Sequence, residues 1–147
     1  MGQIKLYTIG FTKKNAETFF SMLKNAGVKR LIDIRLNNVS QLAGFAKKDD
    51  LAFFLKELCS CDYLHKPQLA PTKEILDNYK NKKIDWPEYV REFSDLIRSR
   101  KIEDEVSRDL LDNACFLCSE PKADKCHRRL VSEYLQNKFK DIKIIHL

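Results

Sequence analysis

"IKLYTIGFTKKNAETFFSMLKNAGVKRLIDIR" runs from residue 4 to residue 35, and its reading decides the architecture. "IKLYTIG" has the composition of a strand, with Gly10 marking the turn that ends it. Asn15 can cap a helix, and Gly27 can end one. Between them Phe19, Met22, Leu23 and Ala26 recur at helical spacing. "VKRLIDIR" is then a second short apolar strand. Strand, helix and strand in immediate succession form a βαβ unit, the element of a parallel sheet.

The rest of the chain extends this unit. After a polar loop, "LNNVSQLAGF", Asp49 or Asp50 can open a helix whose apolar face is Leu51, Phe54, Leu55 and Leu58. "CDYLHK" is a candidate third strand. Thr72 can cap a short helix carrying Ile75, Leu76 and Tyr79. Asp85, Pro87 and Glu88 make a helix start: a capping residue, a proline in the first turn and an acid three positions on. "EDEVSRDLL" predicts a shorter helix, "NACFLCSE" a strand, "DKCHRRLVSEYLQNKF" a helix and "IKIIHL" a last strand. The order predicts a three-layer α/β/α sandwich around a mostly parallel sheet of about five strands. With 147 residues and no linker or repeat, it forms one domain over residues 1–147.

Hydrophobic residues make up 44% of the chain and charged residues 33%, an ordinary globular composition. No apolar run approaches the roughly 20 residues that span a bilayer. The N-terminal stretch lacks the basic segment and apolar core of a signal peptide. Five cysteines, an odd number, fit free thiols in a reducing compartment. The expectation is therefore a cytoplasmic protein without a membrane partner. The net charge is +6, with balances of +7 over residues 1–48, −4 over 49–112 and +3 over 113–147. If the two basic ends meet in the fold, their field favours an anion such as a nucleotide or nucleic-acid phosphate.

Open α/β sheets bind ligands at the carboxyl ends of their strands. Three such ends carry distinctive polar residues: Gly10 to Thr12, Arg35 to Asn38, and Cys118 to Glu120. In "CFLCSEPKADKCHRRL", residues 115 to 130, Cys115 and Cys118 form C-x-x-C, and Cys126-His127 follows. A zinc knuckle is disfavoured, because strand residues three apart point to opposite faces. Cys115 reads as a buried hydrophobe. Cys126 stands at a helix start, where the dipole stabilises a thiolate. His127 lies near the middle of that helix's apolar face, with Arg128 on its flank and Arg129 pointing away near Glu133. Cys118, Cys126, His127 and Glu120 are thus catalytic candidates, as a nucleophile with its base or as a reversible thiol pair. No cofactor and no metal-ligand set is expected, and a structural-zinc module ranks as the third reading. The absence of glycine between Cys118 and Cys126 excludes a phosphate-cradling loop there.

Asp33 and Arg35 share a strand face, and a lone acid in an apolar run needs a partner. Arg35, Arg128 or His127 could supply it. Asn37, Asn38, Ser40 and Gln41 add hydrogen-bonding groups. Asp33, Arg35, Asn37, Asn38, Ser40 and Arg128 form the candidate ligand-binding set, with Arg35 and Arg128 holding the anion.

"YTIGFT", "LIDIRLNNVSQLAGF" and "CFLCSEPKADKCHRRLV" together resemble the family called domain of unknown function 488, over essentially the whole chain. The marks fall on Thr8, Ile9 and Gly10; on Asp33 and Arg35; and on Leu117, Cys118, Glu120, Cys126, His127 and Arg128. Many members carry histidine where this chain has Phe11, and proline where it has Asn38. The resemblance implies a compact α/β domain in which Asp33, Arg35, Glu120 and the Cys-His-Arg run form one site. It brings no established activity.

Overall fold

The computed structural model describes residues 3–37, 44–120 and 122–147. Its strands are β1 (Ile4–Gly10), β2 (Arg30–Asp33), β3 (Asp62–His65), β4 (Ala114–Cys118) and β5 (Ile142–His146). Its α-helices are α1 (Ala16–Ala26), α2 (Lys48–Cys59), α3 (Lys73–Lys80), α4 (Trp86–Arg100), α5 (Arg108–Leu111) and α6 (His127–Phe139). The order of strands and helices is the one the sequence predicts. The five strands form one sheet in the order β3-β2-β4-β1-β5. Every pairing is parallel, so the expected "mostly parallel" sheet is wholly parallel.

The strands alternate their side chains between two cores, as the period of two requires. Leu6, Ile32, Ala114 and Phe116 join α4 and α6 through Phe93, Ile97, Leu130, Val131 and Leu135. Tyr7, Ile9, Leu31, Cys115 and Leu117 join α1 and α2 through Phe19, Phe20, Leu23, Leu51 and Leu55. Each large apolar side chain so buried contributes roughly 1.5–3 kcal/mol. A sheet buried on both faces explains why its strands read as nearly continuous apolar runs.

The caps hold the helices in place. The Asn15 side chain accepts from Thr18 N–H, Thr72 from Ile75 N–H, and Asp85 from Glu88 N–H. Gly27 ends α1 at φ 73°, a left-handed conformation that glycine adopts without strain. α2 differs from expectation. It begins at Lys48 after Lys47, which makes no side-chain cap, while Asp49 and Asp50 lie in the first turn. There the acids still oppose the positive end of the helix dipole.

Candidate functional site

The strand order creates the crevice. β1 and β4 are neighbours, yet β1 leads into α1 on one face and β4 leads into α6 on the other. Chains that part to opposite faces leave a gap at the carboxyl ends of the strands. At this gap the backbone is tight. A Cβ on Gly10 would lie 1.6 Å from the Glu120 carbonyl oxygen, so only glycine fits. Thr12 fastens the same corner, donating its backbone N–H to Ser119 O at 3.1 Å.

Arg128, in the first turn of α6, fills the gap. It is fully buried, at 0% exposure. Its Nε donates to Thr8 Oγ1 at 3.2 Å, and its Nη1 donates to the Glu120 carbonyl at 2.5 Å. The same Nη1 reaches Cys118 Sγ at 3.1 Å and Cys126 Sγ at 3.8 Å. The two sulfurs themselves lie at disulfide distance. Burial pushes the guanidinium pKa down, against the pull of Cys115 and Glu120. Thr8 is held in turn by His146, whose Nδ1 is 2.5 Å from the hydroxyl. Thus β1 and β4 meet α6 on one guanidinium, and β5 is tied to it through Thr8.

His127 packs its ring edge-on against Phe93, with centroids 5.8 Å apart. Its Nε2 lies 2.7 Å from the Ile34 carbonyl oxygen. A carbonyl only accepts, so Nε2 carries the proton and Nδ1 keeps its lone pair. Nδ1 is 4.0 Å from Cys126 Sγ. Burial, and then Arg128, hold the imidazole pKa down to about 4, against the opposing Ile34 hydrogen bond. Cys126 occupies the N-cap position of α6 without a side-chain cap bond; its sulfur turns instead to Cys118 and Arg128.

Asp33 and Arg35 form a second polar group. Asp33 Oδ1 accepts from Arg35 Nε at 2.9 Å, and Oδ2 accepts from Nη2 at 2.7 Å and from the Tyr63 hydroxyl at 2.6 Å. The pair is 0% and 4% exposed. Arg35 Nη2 also donates to Ala46 O, and the guanidinium lies over the Phe11 ring. Arg35 Nη1 is buried with no hydrogen-bond partner among the described residues.

Of the residues singled out from the sequence, Cys118, Cys126, His127 and Arg128 come together. Glu120 joins them through its backbone carbonyl, while its side chain is exposed. Asp33 and Arg35 fall in register with Leu31 and pack toward Phe11 and Tyr63, on the α1–α2 side; Cys118 follows Phe116 on the α6 side. The link between the two groups runs through the backbone, from His127 to Ile34 O. Asn37 is exposed, and Asn38, Ser40 and Gln41 lie outside the described residues. Cys115 is a buried free thiol whose pKa burial raises, matching its reading as core. Arg129 pairs with Glu133 at 3.6 Å, as its helix position suggests.

Two contributors had no site role in the sequence reading, although Thr8 carries a mark of the family resemblance. Thr8 was visible as the one polar residue in the "LYTIG" run, on the inward side. Tyr63 left no signal, because its reach to Asp33 depends on β3 pairing with β2. A surface cavity of about 300 Å³ lies elsewhere, between α1 and α2, walled by Phe20, Phe54 and Leu58 with Glu17 and Lys24. It adjoins none of these groups.

Among the described residues, no helix is long and apolar enough to cross a membrane. The family model described as "Domain of unknown function DUF488" matches residues 15–135. No curated protein and no solved structure matches the chain.

Proposed function

The chain belongs to the DUF488 family, and for this member we propose a dithiol redox function centred on Cys118 and Cys126. The observation that carries this reading is the single Arg128 Nη1 shared by both sulfurs, at 3.1 and 3.8 Å. A buried cation beside a thiol favours the thiolate, the form that reacts. His127 Nδ1, unprotonated and next to Cys126, is placed to accept a hydrogen bond from that thiol; with its pKa held down to about 4 it does not keep the proton, which passes to the leaving thiolate.

The co-reactant is a small disulfide, since the cysteines are only 1% and 3% exposed. One thiolate attacks a substrate sulfur; a new S–S bond forms, the substrate's S–S bond breaks, and the first product leaves as a thiolate. The second cysteine then attacks the mixed disulfide and releases the second product. The pair gives up two electrons and ends as a disulfide. The substrate gains two electrons and, with the two cysteine protons, leaves as two thiols. Equilibration with mixtures of oxidised and reduced glutathione, followed by thiol counting and peptide mapping, tests this. Two thiols should disappear together and map to Cys118 and Cys126. A pair that stays reduced under the oxidising mixtures, or oxidation mapping to other cysteines, overturns the reading.

A second reading rests on Arg35. A buried guanidinium N–H without an acceptor is costly, and Nη1 is such a group. An anionic ligand, with a nucleotide or nucleic-acid phosphate as the candidate, would supply one. Titration with nucleotides and short DNA and RNA at two salt concentrations tests it. Salt-sensitive binding that Arg35→Met weakens supports the reading, and absence of binding rejects it.

A further inference from the structure

We propose that the reduced Cys118–Cys126 pair and His127 bind one thiophilic, tetrahedral-preferring metal ion, zinc being the best match, with Cys115 excluded from the ligand set. This deepens the dithiol reading and rests on it, since the same two sulfurs must be free as thiolates. One ligand atom from each of Cys118, Cys126 and His127 lies within 4.8 Å of the others. Among the described residues no further cysteine, histidine or carboxylate joins that group. Two thiolates and one imidazole are a donor set that suits zinc, and three protein ligands leave a fourth position for water or a small ligand.

Three further observations support the assignment. First, the Cα atoms of Cys118 and Cys126 stand 7.7 Å apart, wider than the roughly 4.4–6.8 Å of most disulfides. Once the reduced sulfurs turn apart from disulfide distance, an ion with two metal–sulfur bonds of about 2.3 Å each spans such a gap without drawing the strand end and the helix start together. Second, His127 has the orientation of a metal-bound imidazole. Its Nε2–H donates to the Ile34 carbonyl at 2.7 Å, which fixes the tautomer and turns the Nδ1 lone pair toward Cys126. Metal-bound histidines almost always give their other N–H to such an acceptor. Third, Arg128 Nη1 donates toward both sulfurs. An N–H donor beside bound thiolates offsets the excess negative charge they bring. Cys115 cannot take part, because it faces the α1–α2 core on the other side of the sheet. The ion's sulfur ligands are therefore not the C-x-x-C pair.

Oxidation switches the site off. Forming the Cys118–Cys126 disulfide consumes both sulfur ligands, so ion binding and oxidation exclude each other. The test uses the full chain, stripped by a chelator and reduced, then titrated anaerobically with Co²⁺ and with Zn²⁺ in competition. The expected result is one ion per chain, thiolate-to-cobalt charge-transfer absorption with intense tetrahedral visible bands, and their loss when Zn²⁺ displaces Co²⁺. The bands should vanish in Cys118→Ser, in Cys126→Ser and in the oxidised wild type. His127→Ala should weaken binding by about tenfold or more, and Cys59→Ala should leave it unchanged. Circular dichroism confirms that each variant is folded, and the wild-type spectrum decides the matter without any variant. Reduced wild type without charge-transfer bands, or bands that survive loss of either cysteine, overturns the metal site. Glutathione equilibration of the stripped protein reads the dithiol function separately, so either idea can fail alone.

Discussion

Arg128 Nη1 and Cys118 Sγ meet at 3.1 Å in a place where the arginine has no exposure to solvent. The contact joins the first turn of a helix to the last residue of the strand before it. Solvent ions screen it little, so the cation favours the thiolate over the thiol. In the reduced, metal-free protein the Cys118 thiol should ionise below the free-cysteine value of about 8.5. Iodoacetamide labelling across pH, read by peptide mapping, gives its midpoint. Arg128→Met, checked for folding, should raise that midpoint by roughly 1–3 units. An unchanged midpoint would show that the guanidinium does not hold the thiolate.

The other cysteines should behave in the opposite way. Burial, reinforced by Cys59 and Asp62, pushes the Cys61 thiol up to about 12 from 9.0, and burial raises Cys115 likewise. Both should resist alkylation at neutral pH in the folded protein. For an acid whose folded pKa is raised, the stabilising effect is complete below the unfolded value and fades as pH climbs toward the folded one. Stability should therefore fall from about pH 9 upward, and Cys61→Ala should flatten that fall. Urea melts at several alkaline pH values measure it.

The Asp33–Arg35 pair predicts a large cost for breaking one side. Asp33→Ala leaves a buried guanidinium without its carboxylate and the Tyr63 hydroxyl without its acceptor. The loss should be roughly 3–5 kcal/mol, seen as a lower midpoint in urea. Tyr63→Phe removes the hydrogen bond to Asp33 Oδ2 and leaves the ion pair in place, and should cost about 1 kcal/mol. If the two variants lose equal stability, the ion pair does not carry the weight assigned to it.

Gly10→Ala should disturb the corner more than its size suggests. The added methyl meets the Glu120 carbonyl oxygen, which is backbone, and lies 2.8 Å from Arg128 Nη1. Relief requires β1 and the segment after Cys118 to separate. A loss of about 1–3 kcal/mol is expected, together with faster alkylation of Cys118. Stability loss with no change in thiol reactivity would mean that the corner does not shape the site.

The fold was legible because its signals are local. Capping by Asn15, Thr72 and Asp85, and the short apolar runs of β1 and β4, need only neighbouring residues. Cys126, His127 and Arg128 were also placed at a helix start correctly, from the apolar face set by Leu130, Val131 and Leu135. What the sequence could not give was pairing over distance. The strand order that puts β4 between β2 and β1 depends on crossovers, not on any strand's own residues. Without it Tyr63 could not be assigned to Asp33. Nor does the sequence place Asp33 and Cys118 relative to each other, since their faces depend on how β2 pairs with β4. The burial of Arg128 was also hidden, since a helix-flank arginine normally keeps its head in water.

The central place of β4 bears on how the molecule forms. Gly10 pairs with Cys118, and Thr8 with His146, so the sheet closes only when distant parts of the chain find each other. Such topologies fold slowly, because loop-closure entropy must be met before the contacts repay it. Throughout that interval all five cysteines are exposed together. Cys126 is near Cys118 along the chain, but so is Cys115, and Cys59 and Cys61 compete at a larger loop-closure cost. Chain proximity alone therefore does not select the Cys118–Cys126 pair. Refolding in air should trap mispaired chains that refolding in reductant avoids.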